Sequence, residues 1–140
     1  TAFELILSDH NLNCRECSAN RNCALQTIAK ERKIKLRHDR FRSIVKEFTI
    51  DESPVEFAFD RSRYMLCSQC IWADREKAKV GAIGFTNRGI NRVVTTFQDI
   101  PLADSICTQC LRCVEACPVG ALFYKEKSKN KKSVNIVGLE

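Results

Sequence analysis

The sequence predicts an α+β fold organised around bound metal. Nine of its 140 residues are cysteines, and within each group neighbouring cysteines are separated by only two to five residues. Such spacing is typical of metal ligands, and an odd number argues against a complete disulfide framework. Helical periodicity marks the first third of the chain, whereas short β-rich runs mark the remainder. We therefore expect a small helical metal-binding domain at residues 1–48, followed by a second metal-binding domain with short antiparallel strands at residues 49–140.

Two short helices are predicted in the first domain. Residues 1–9 repeat apolar side chains at a helical period, with the apolar side facing the domain. A second apolar stripe begins after Cys23 and continues to residue 34, opposite Lys30 and Lys33, and it predicts an amphipathic helix. The apolar positions of the two stripes are Ala2, Leu5, Ile6, Leu25, Ile28 and Ala29.

Short strands are predicted in the second half of the chain. A polar connector at residues 35–60 ends in the first strand, and two later runs flank residues 88–91 and predict a hairpin. The lysine-rich residues 125–132 are predicted as a loop. The predicted strands lie near residues 57–59, 82–87, 92–97, 121–124 and 134–137.

The strongest functional signal is the run from Cys107 to Pro118, which has the spacing C-x2-C-x2-C-x3-C-P. Thiolates are soft anionic donors that match iron–sulfur chemistry. Three cysteines at intervals of three can wrap one face of a cubane, and the fourth points away from them. In two-cluster ferredoxins that fourth cysteine ligates the other cluster. Zinc sites rarely place four cysteines so close together, so the run favours iron.

A second complete ligand set occurs near the start of the chain, with the spacing H-x3-C-x2-C-x5-C. One imidazole and three thiolates can close a four-coordinate site for zinc or bind one cubane. The cysteine run that begins at Cys107 favours iron over zinc at this site as well. A neutral imidazole removes one negative charge relative to a thiolate, so it should raise the reduction potential, as it does in Rieske centres. The ligands of this predicted site are His10, Cys14, Cys17 and Cys23.

An incomplete copy of the cysteine run surrounds Cys67 and Cys70. Spacing alone allows two registers, because these residues can be either the second and third or the first and second cysteines of the pattern. Asp74 is chemically able to bind iron, whereas a lysine is a poor ligand. The residues at the missing ligand positions are Tyr64 and Asp74 in the first register, and Ala73 and Lys77 in the second.

Positive charge is concentrated in two stretches. Residues 21–48 hold nine Lys or Arg against three Asp or Glu, and residues 125–132 hold five lysines against one glutamate. Basic patches attract acidic partners and speed encounter, so these stretches predict either an acidic protein partner or a solvated face. No stacking aromatics are interleaved with the lysines, and we therefore expect no nucleic-acid partner.

Several other classes are disfavoured. No run approaches the roughly 20 apolar residues of a membrane span, so none is expected. No nucleophile–base pair is visible, so independent catalysis is not expected. Thiolate ligands survive in a reducing compartment, which predicts a cytoplasmic location.

The order of these groups resembles the accessory iron–sulfur region of [FeFe]-hydrogenases. The same region occurs in the large iron–sulfur subunit of respiratory complex I and in related hydrogenase and formate dehydrogenase subunits. The resemblance covers nearly all of the chain, and residues 80–89 favour the register with Tyr64 and Asp74 as the substituted ligands. It implies three cubanes in a row, the first with His/Cys3 ligation and the others in a ferredoxin-like domain, which relay single electrons toward a distant catalytic centre.

The resemblance also implies crossed ligation in the ferredoxin-like domain, with one cysteine lost from each cluster. Asp74 keeps an anionic donor, although hard oxygen suits iron–sulfide less well than sulfur. Tyr64 is a bulky phenol that titrates near 10 and is a poor ligand. We therefore expect two [4Fe–4S] clusters. The second would be bound by Cys107, Cys110, Cys113 and Asp74. The third site, at Cys67, Cys70 and Cys117, would be empty, three-iron, or four-iron with an open position.

The predicted function is electron transfer inside a larger oxidoreductase of the hydrogenase, formate dehydrogenase or NADH dehydrogenase type. The implied partners are other subunits of that complex or an acidic electron carrier such as ferredoxin. Two alternatives remain open on the residues alone. Metal binding can supply most of the folding free energy of a small domain, so the sites could serve structure. An incompletely ligated cluster could instead act as a redox sensor.

Overall fold

The computed structural model of the protein describes residues 2–37 and 40–125, and these contain four short helices and four short strands. This mixture confirms the α+β fold class. Several single-turn 3₁₀ helices and one π-helical turn, Ala73–Lys77, connect them. The helices are α1 (Ala2–Ser8), α2 (Ala24–Glu31), α3 (Gln69–Trp72) and α4 (Arg112–Glu115). The strands are β1 (Phe57–Phe59), β2 (Ile83–Thr86), β3 (Val93–Thr96) and β4 (Leu122–Tyr124).

The two N-terminal helices form where helical periodicity predicted them, but α2 ends three residues before residue 34. Lys33 has a positive φ of 54°, which closes the helix because a left-handed residue cannot continue a right-handed one. The Ile34 amide then donates to the Ala29 carbonyl at 2.9 Å. The predicted inward face of α1 is wrong, because Leu5 and Ile6 are exposed and Leu7 is buried instead. In α2, Leu25 lies in the core, whereas Ile28 of the predicted stripe is 38% exposed.

The strands form two separate antiparallel pairs. Strands β2 and β3 make the predicted hairpin, with Ile83 opposite Thr96 and Thr86 opposite Val93. Strand β1 instead pairs with β4, with Phe59 opposite Leu122. This second pair ties the middle of the chain to the segment that follows the cysteine run.

Side chains from both predicted domains meet in one apolar cluster. Leu7 and Leu25 come from the N-terminal helices, and Phe57 and Phe59 from β1 are almost inaccessible to solvent. Burying a large apolar side chain contributes about 1.5–3 kcal/mol, so this shared cluster gives both halves a common source of stability. The division at residue 48 stays a prediction. Other members of the cluster are Ile71, Ile83, Val94, Leu102, Val114 and Leu122.

The connector between the two halves packs along α1. The Ile44 amide donates to the Ser8 carbonyl at 2.8 Å, and Lys46 donates to both carboxylate oxygens of Asp9 at 2.9 Å. Farther along, Asp51 forms an antiparallel bridge with Phe59 of β1. The connector therefore joins the N-terminal helix to the first strand.

Across the described residues, none of the helices has the length and apolarity needed to cross a membrane. Most of the predicted lysine loop at residues 125–132 and the predicted strand at residues 134–137 lie outside the described residues.

Candidate iron–sulfur sites

His10 is buried just after α1 and presents an unpaired ring nitrogen. Its side chain is 5% exposed, and its Nδ1 has no hydrogen-bond partner within the described structure. Burial lowers the pKa of His10, against the opposing effect of a hydrogen bond from the ring to the Tyr64 backbone. A neutral imidazole that donates its second N–H to a backbone carbonyl is the usual form of a metal-binding histidine.

Three cysteines lie in the segment that follows this histidine. Cys14 opens a 3₁₀ turn, and the Cys17 amide closes it on the Cys14 carbonyl at 3.2 Å. Cys23 immediately precedes α2 and is buried. Burial raises the pKa of Cys23, and the nearby Cys17 and Cys14 thiols raise it further, which indicates that the three sulfurs are electrostatic neighbours.

The N-terminal loop contacts the segment that follows the distant cysteine run. The Ala24 amide donates to the Pro118 carbonyl at 3.0 Å, one residue beyond Cys23 and Cys117 respectively. At Gly120, a Cβ atom would overlap the Cys17 sulfur. Glycine at this position therefore permits the two ligand loops to approach closely.

The two cysteine loops of the second half fold alike. In each, one left-handed residue precedes and one follows a central cysteine, Cys67 in the first loop and Cys110 in the second. A four-residue helix then begins two residues after that cysteine, as α3 and α4. The left-handed residues are Leu66 (φ 57°), Ser68 (67°), Gln109 (52°) and Leu111 (64°).

This equivalence discriminates between the two registers that spacing left open. Pairing Cys67 with Cys110 places Tyr64 at the position of Cys107 and Asp74 at the position of Cys117. The alternative register would displace the left-handed residues and the helix starts by three positions. The backbone thus supports the register with Tyr64 and Asp74 at the substituted positions, while iron binding by Asp74 stays a prediction.

Asp74 lies beside the thiols that the crossed arrangement assigns to it. Its charge is among the factors that raise the pKa values of Cys107 and Cys113, for which burial is the largest cause. The side chain is 7% exposed, and Oδ2 accepts a hydrogen bond from the Ile83 amide at 3.1 Å. One carboxylate oxygen is therefore held by the β2 backbone. Asp74 belongs to the π-helical turn, a feature that is frequent at functional sites.

Tyr64 occupies the equivalent position of the other site in a different way. Its ring packs edge-on against Phe59, with centroids 5.6 Å apart, and is 8% exposed. Its hydroxyl lies 2.5 Å from the Cys70 sulfur, and either atom can donate. The Cys117 thiol donates to the Val119 carbonyl at 3.1 Å. Tyr64 thus fills the ligand position with a phenol that contacts one of the remaining thiols.

Cys70, Cys113 and Cys117 lie in buried surroundings that oppose charge on their sulfurs. Burial is the largest cause in each case and raises the pKa values of Cys70 and Cys113 to about 12, while that of Cys117 is also raised. Thiolate is the form that ligates iron, so a positively charged metal centre must supply the compensating interaction. Since each of these thiols neighbours another, one bound cluster would compensate several of them.

The donor set fits iron–sulfur clusters. All nine cysteines lie in the described parts of the chain and are free thiols. The buried imidazole with its unpaired nitrogen adds a tenth donor. Over residues 2–37 and 40–125, no group of three or more His, Cys, Asp or Glu side chains is arranged for a single metal ion. A cubane differs from such an ion because each ligand binds a different iron atom.

Two segments of the chain match family models of iron–sulfur proteins. Residues 1–38 match the NADH-ubiquinone oxidoreductase-G iron–sulfur binding region, and residues 103–123 match the 4Fe–4S binding domain. The first segment holds His10 and its three cysteines, and the second holds the run from Cys107 to Cys117. These matches confirm [4Fe–4S] as the cofactor class.

The chain is also similar to subunits of redox enzymes, which confirms the resemblance. It is 30% identical to the NADP-reducing hydrogenase subunit HndD of Solidesulfovibrio fructosivorans, over 90% of this chain and 21% of that protein. It is 27% identical to the 75 kDa subunit of NADH-ubiquinone oxidoreductase from Dictyostelium citrinum, over 99% of this chain and 20% of that protein. The chain therefore spans about a fifth of the length of these relatives. In a crystal structure of NAD+-reducing [NiFe]-hydrogenase, the match has a TM-score of 0.78 and 26% identity, and covers 88% of this chain and 52% of that one.

Three features of the site escaped sequence reasoning. The close approach of Gly120 to Cys17 joins segments about 100 residues apart, and no local pattern reports it. The contact between Tyr64 and Cys70 could be expected only after the register of the two cysteine loops was known. The polar residues Asp60, Ser62 and Arg63 are buried, and Ser62 and Arg63 form hydrogen bonds with the loop that carries His10.

Proposed function

We propose that this chain is an electron-relay region of a larger oxidoreductase and that it carries single electrons between [4Fe–4S] clusters. One cluster is bound by the N-terminal ligands. A second is bound in the ferredoxin-like half. Their ligands are His10, Cys14, Cys17 and Cys23 for the first, and Cys107, Cys110, Cys113 and Asp74 for the second. The clusters supply one-electron chemistry, and the chain fixes their spacing, burial and charge.

The observation that carries this proposal is the hydrogen bond from Ala24 to Pro118. Each of these residues follows a cysteine, so the bond connects the ligand loop of the first cluster to that of the ferredoxin-like half. Cys117 neighbours Cys67 electrostatically, and Cys70 neighbours Cys113. Ligand residues that influence one another electrostatically therefore extend from the Cys117 loop, which is bonded to the N-terminal site, to Cys113.

The proposal is tested by anaerobic iron and sulfide analysis of the intact protein, combined with EPR-monitored redox titration. We expect two cubanes with reversible potentials. The double substitution Cys17→Ser with Cys23→Ser should remove the signal of the first cluster and leave that of the second. Zinc without sulfide would overturn the relay and favour a structural module. Clusters that disassemble on oxidation instead of cycling reversibly would favour a redox sensor.

We propose further that an acidic redox partner, such as another subunit of the complex or a ferredoxin, docks beside the N-terminal cluster. Exposed cations, among them Lys33, Lys35 and Arg37, follow α2, whose first residue adjoins Cys23. Such charges steer an acidic partner and make association depend on salt. This location would place the partner near one end of the relay.

Charge reversal at these three cations tests the docking surface. We expect the association rate of a reduced acidic carrier to fall and its salt dependence to flatten. Reversal of Lys77, Lys79 and Arg88, which are exposed in the other half, makes the same change in net charge and serves as the control. If the two triple variants have equal effects, association depends only on net charge, and these cations do not form a specific docking surface.

A further inference from the structure

A buried ion pair lies between the N-terminal site and the Tyr64 site. Arg63 Nε donates to Asp60 Oδ2 at 2.8 Å, and the two residues are 8% and 4% exposed. Asp60 Oδ1 accepts from the Ser62 amide at 3.0 Å and from the Ser62 hydroxyl at 2.6 Å. The Asp60 amide donates to the Ala121 carbonyl at 2.7 Å, next to β4. The pair is therefore fixed in position by several hydrogen bonds.

The same segment holds the loop that carries His10. Arg63 Nη1 donates to the Asn13 carbonyl at 3.1 Å, one residue before Cys14. The Asn11 amide, one residue after His10, donates to the Ser62 carbonyl at 2.9 Å. Two hydrogen bonds thus connect residues 62 and 63 to the loop that carries His10.

The cation is the member of the pair that reaches the His10 loop. Arg63 Nη1 donates to the Asn13 carbonyl, whereas both carboxylate oxygens of Asp60 accept hydrogen bonds from Ser62 and Arg63. The carboxylate of Asp9, which precedes His10, is paired with Lys46. The guanidinium is therefore the charge of the pair that contacts the loop of the ligating histidine.

We propose that Arg63 is a positioning residue that raises the reduction potential of the His10-bound cluster and holds the imidazole in its ligating orientation. The inference rests on the proposed function, since it requires a cluster at His10. Reduction adds one negative charge to a cluster. A nearby buried cation stabilises that charge, because burial reduces screening by solvent. Charge and hydrogen bonding around a cluster are the means by which a protein sets its potential.

Three substitutions in the intact, anaerobically purified protein test this role. Arg63→Gln keeps a hydrogen-bond donor but removes the charge, and should lower the potential of the His10-bound cluster. Asp60→Asn keeps the shape but leaves the cation uncompensated, and should raise it. Arg61→Gln removes a cation from the same turn, one that pairs with Asp99 on the other side, and serves as the control.

The readout is the midpoint potential of each cluster by EPR-monitored titration. For Arg63→Gln we expect a change on the order of tenfold in the reduced-to-oxidised ratio at fixed potential, about 59 mV for one electron. Arg63→Lys keeps the positive charge and should preserve the potential. It provides a folded comparison if the Gln variant fails to fold. The cluster of Cys107, Cys110 and Cys113 should shift less, because the Arg63 contacts are to the His10 loop.

The outcomes separate this inference from the proposed function. Absence of a His10-dependent cluster signal in the unaltered protein would overturn both. If that signal is present and Arg63→Gln and Asp60→Asn shift its potential in the same direction, the electrostatic role is wrong and the pair is structural. Equal shifts in Arg63→Gln and Arg61→Gln would also overturn it.

Discussion

The sites containing Asp74 and Tyr64 each lack one cysteine, yet the replacements behave differently. Asp74 keeps an anion beside Cys107 and Cys113, with one oxygen bound to the Ile83 amide. Tyr64 places an aromatic ring in the core and its hydroxyl against Cys70. The backbone of the two cysteine loops is nearly the same. The comparison teaches that loop geometry preserves a ligand position, whereas the chemistry of the side chain decides whether the position can still bind a cluster.

The largest expected effect comes from restoring the missing thiol at the Tyr64 site. Tyr64→Cys completes a four-cysteine set with Cys67, Cys70 and Cys117. Starting from a protein with two cubanes and an empty third site, iron content should rise by about four atoms per chain, the content of one cubane. The measurement is iron and sulfide analysis after anaerobic reconstitution. Tyr64→Phe, which adds no donor, is the control and should gain no iron. Unchanged iron in Tyr64→Cys, in a protein that holds two cubanes before the substitution, would show that the backbone has not preserved this ligand position.

A smaller change is expected at Asp74. Asp74→Ala should lose about one iron from its cluster, because the unligated corner of a cubane is the one most readily lost on oxidation. Asp74→Cys should give a cluster that resists oxidation, since thiolate binds iron–sulfide better than carboxylate. EPR of the oxidised protein distinguishes three-iron from four-iron forms.

Asp74→Asn is the matched control, because it retains an oxygen for the Ile83 amide but lacks the negative charge. Iron loss in both the Ala and Asn variants supports a ligand role. Full iron in Asn with reduced stability only in Ala would mean that Asp74 serves the β2 backbone, where an unsatisfied buried amide costs about 1–3 kcal/mol.

Exchange of one ligand type for another at the N-terminal site should change the reduction potential of its cluster without changing its iron content. His10→Cys keeps four ligands and replaces a neutral donor with an anionic one, so the cluster should remain and its potential should fall. Redox titration followed by EPR gives the shift. His10→Ala removes the donor and should lower cluster occupancy. A potential that is unchanged in His10→Cys would contradict ligation by His10.

The smallest effect is expected for the hydroxyl of Tyr64. Tyr64→Phe preserves the contact with Phe59 and removes the contact with Cys70, so the free energy of unfolding should fall by about 1 kcal/mol. Thermal unfolding under argon measures the change. Phe59→Leu, which keeps the hydroxyl contact and removes the ring pair, provides the comparison. A large loss of bound iron in Tyr64→Phe would mean instead that the phenol is a ligand.

Local patterns predicted the elements of this fold better than their long-range pairing. The strand at Phe57–Phe59 and the hairpin of β2 and β3 form where the sequence placed them, because each depends on neighbouring residues and turns. The partner of β1 could not be read from the sequence, since its pairing with β4 joins segments more than 60 residues apart. Likewise, composition marks Arg63 as a surface residue, and only tertiary packing buries it beside Asp60.

The metal ligands, like the strands, were predicted from local sequence, here from the spacing of the cysteines. Closely spaced cysteines identify a metal-binding loop from the residues alone, whereas the crossed assignment of Asp74 came only from the resemblance. The resemblance at residues 80–89 also favoured one register. The structural support for that register comes from left-handed residues such as Ser68 and Leu111, which are not glycine and so give no sequence signal.

The contacts of residues 118–120 with the N-terminal loop have a consequence for biogenesis. The Pro118 carbonyl and the Gly120 backbone complete the surroundings of Cys23 and Cys17, although nearly a hundred residues separate them in the chain. Synthesis proceeds from the N-terminus, so the first four ligands leave the ribosome long before these contacts can form. The loop of Cys17 and Cys23 can therefore take the shape seen in the complete fold only after the last cysteine run has been translated.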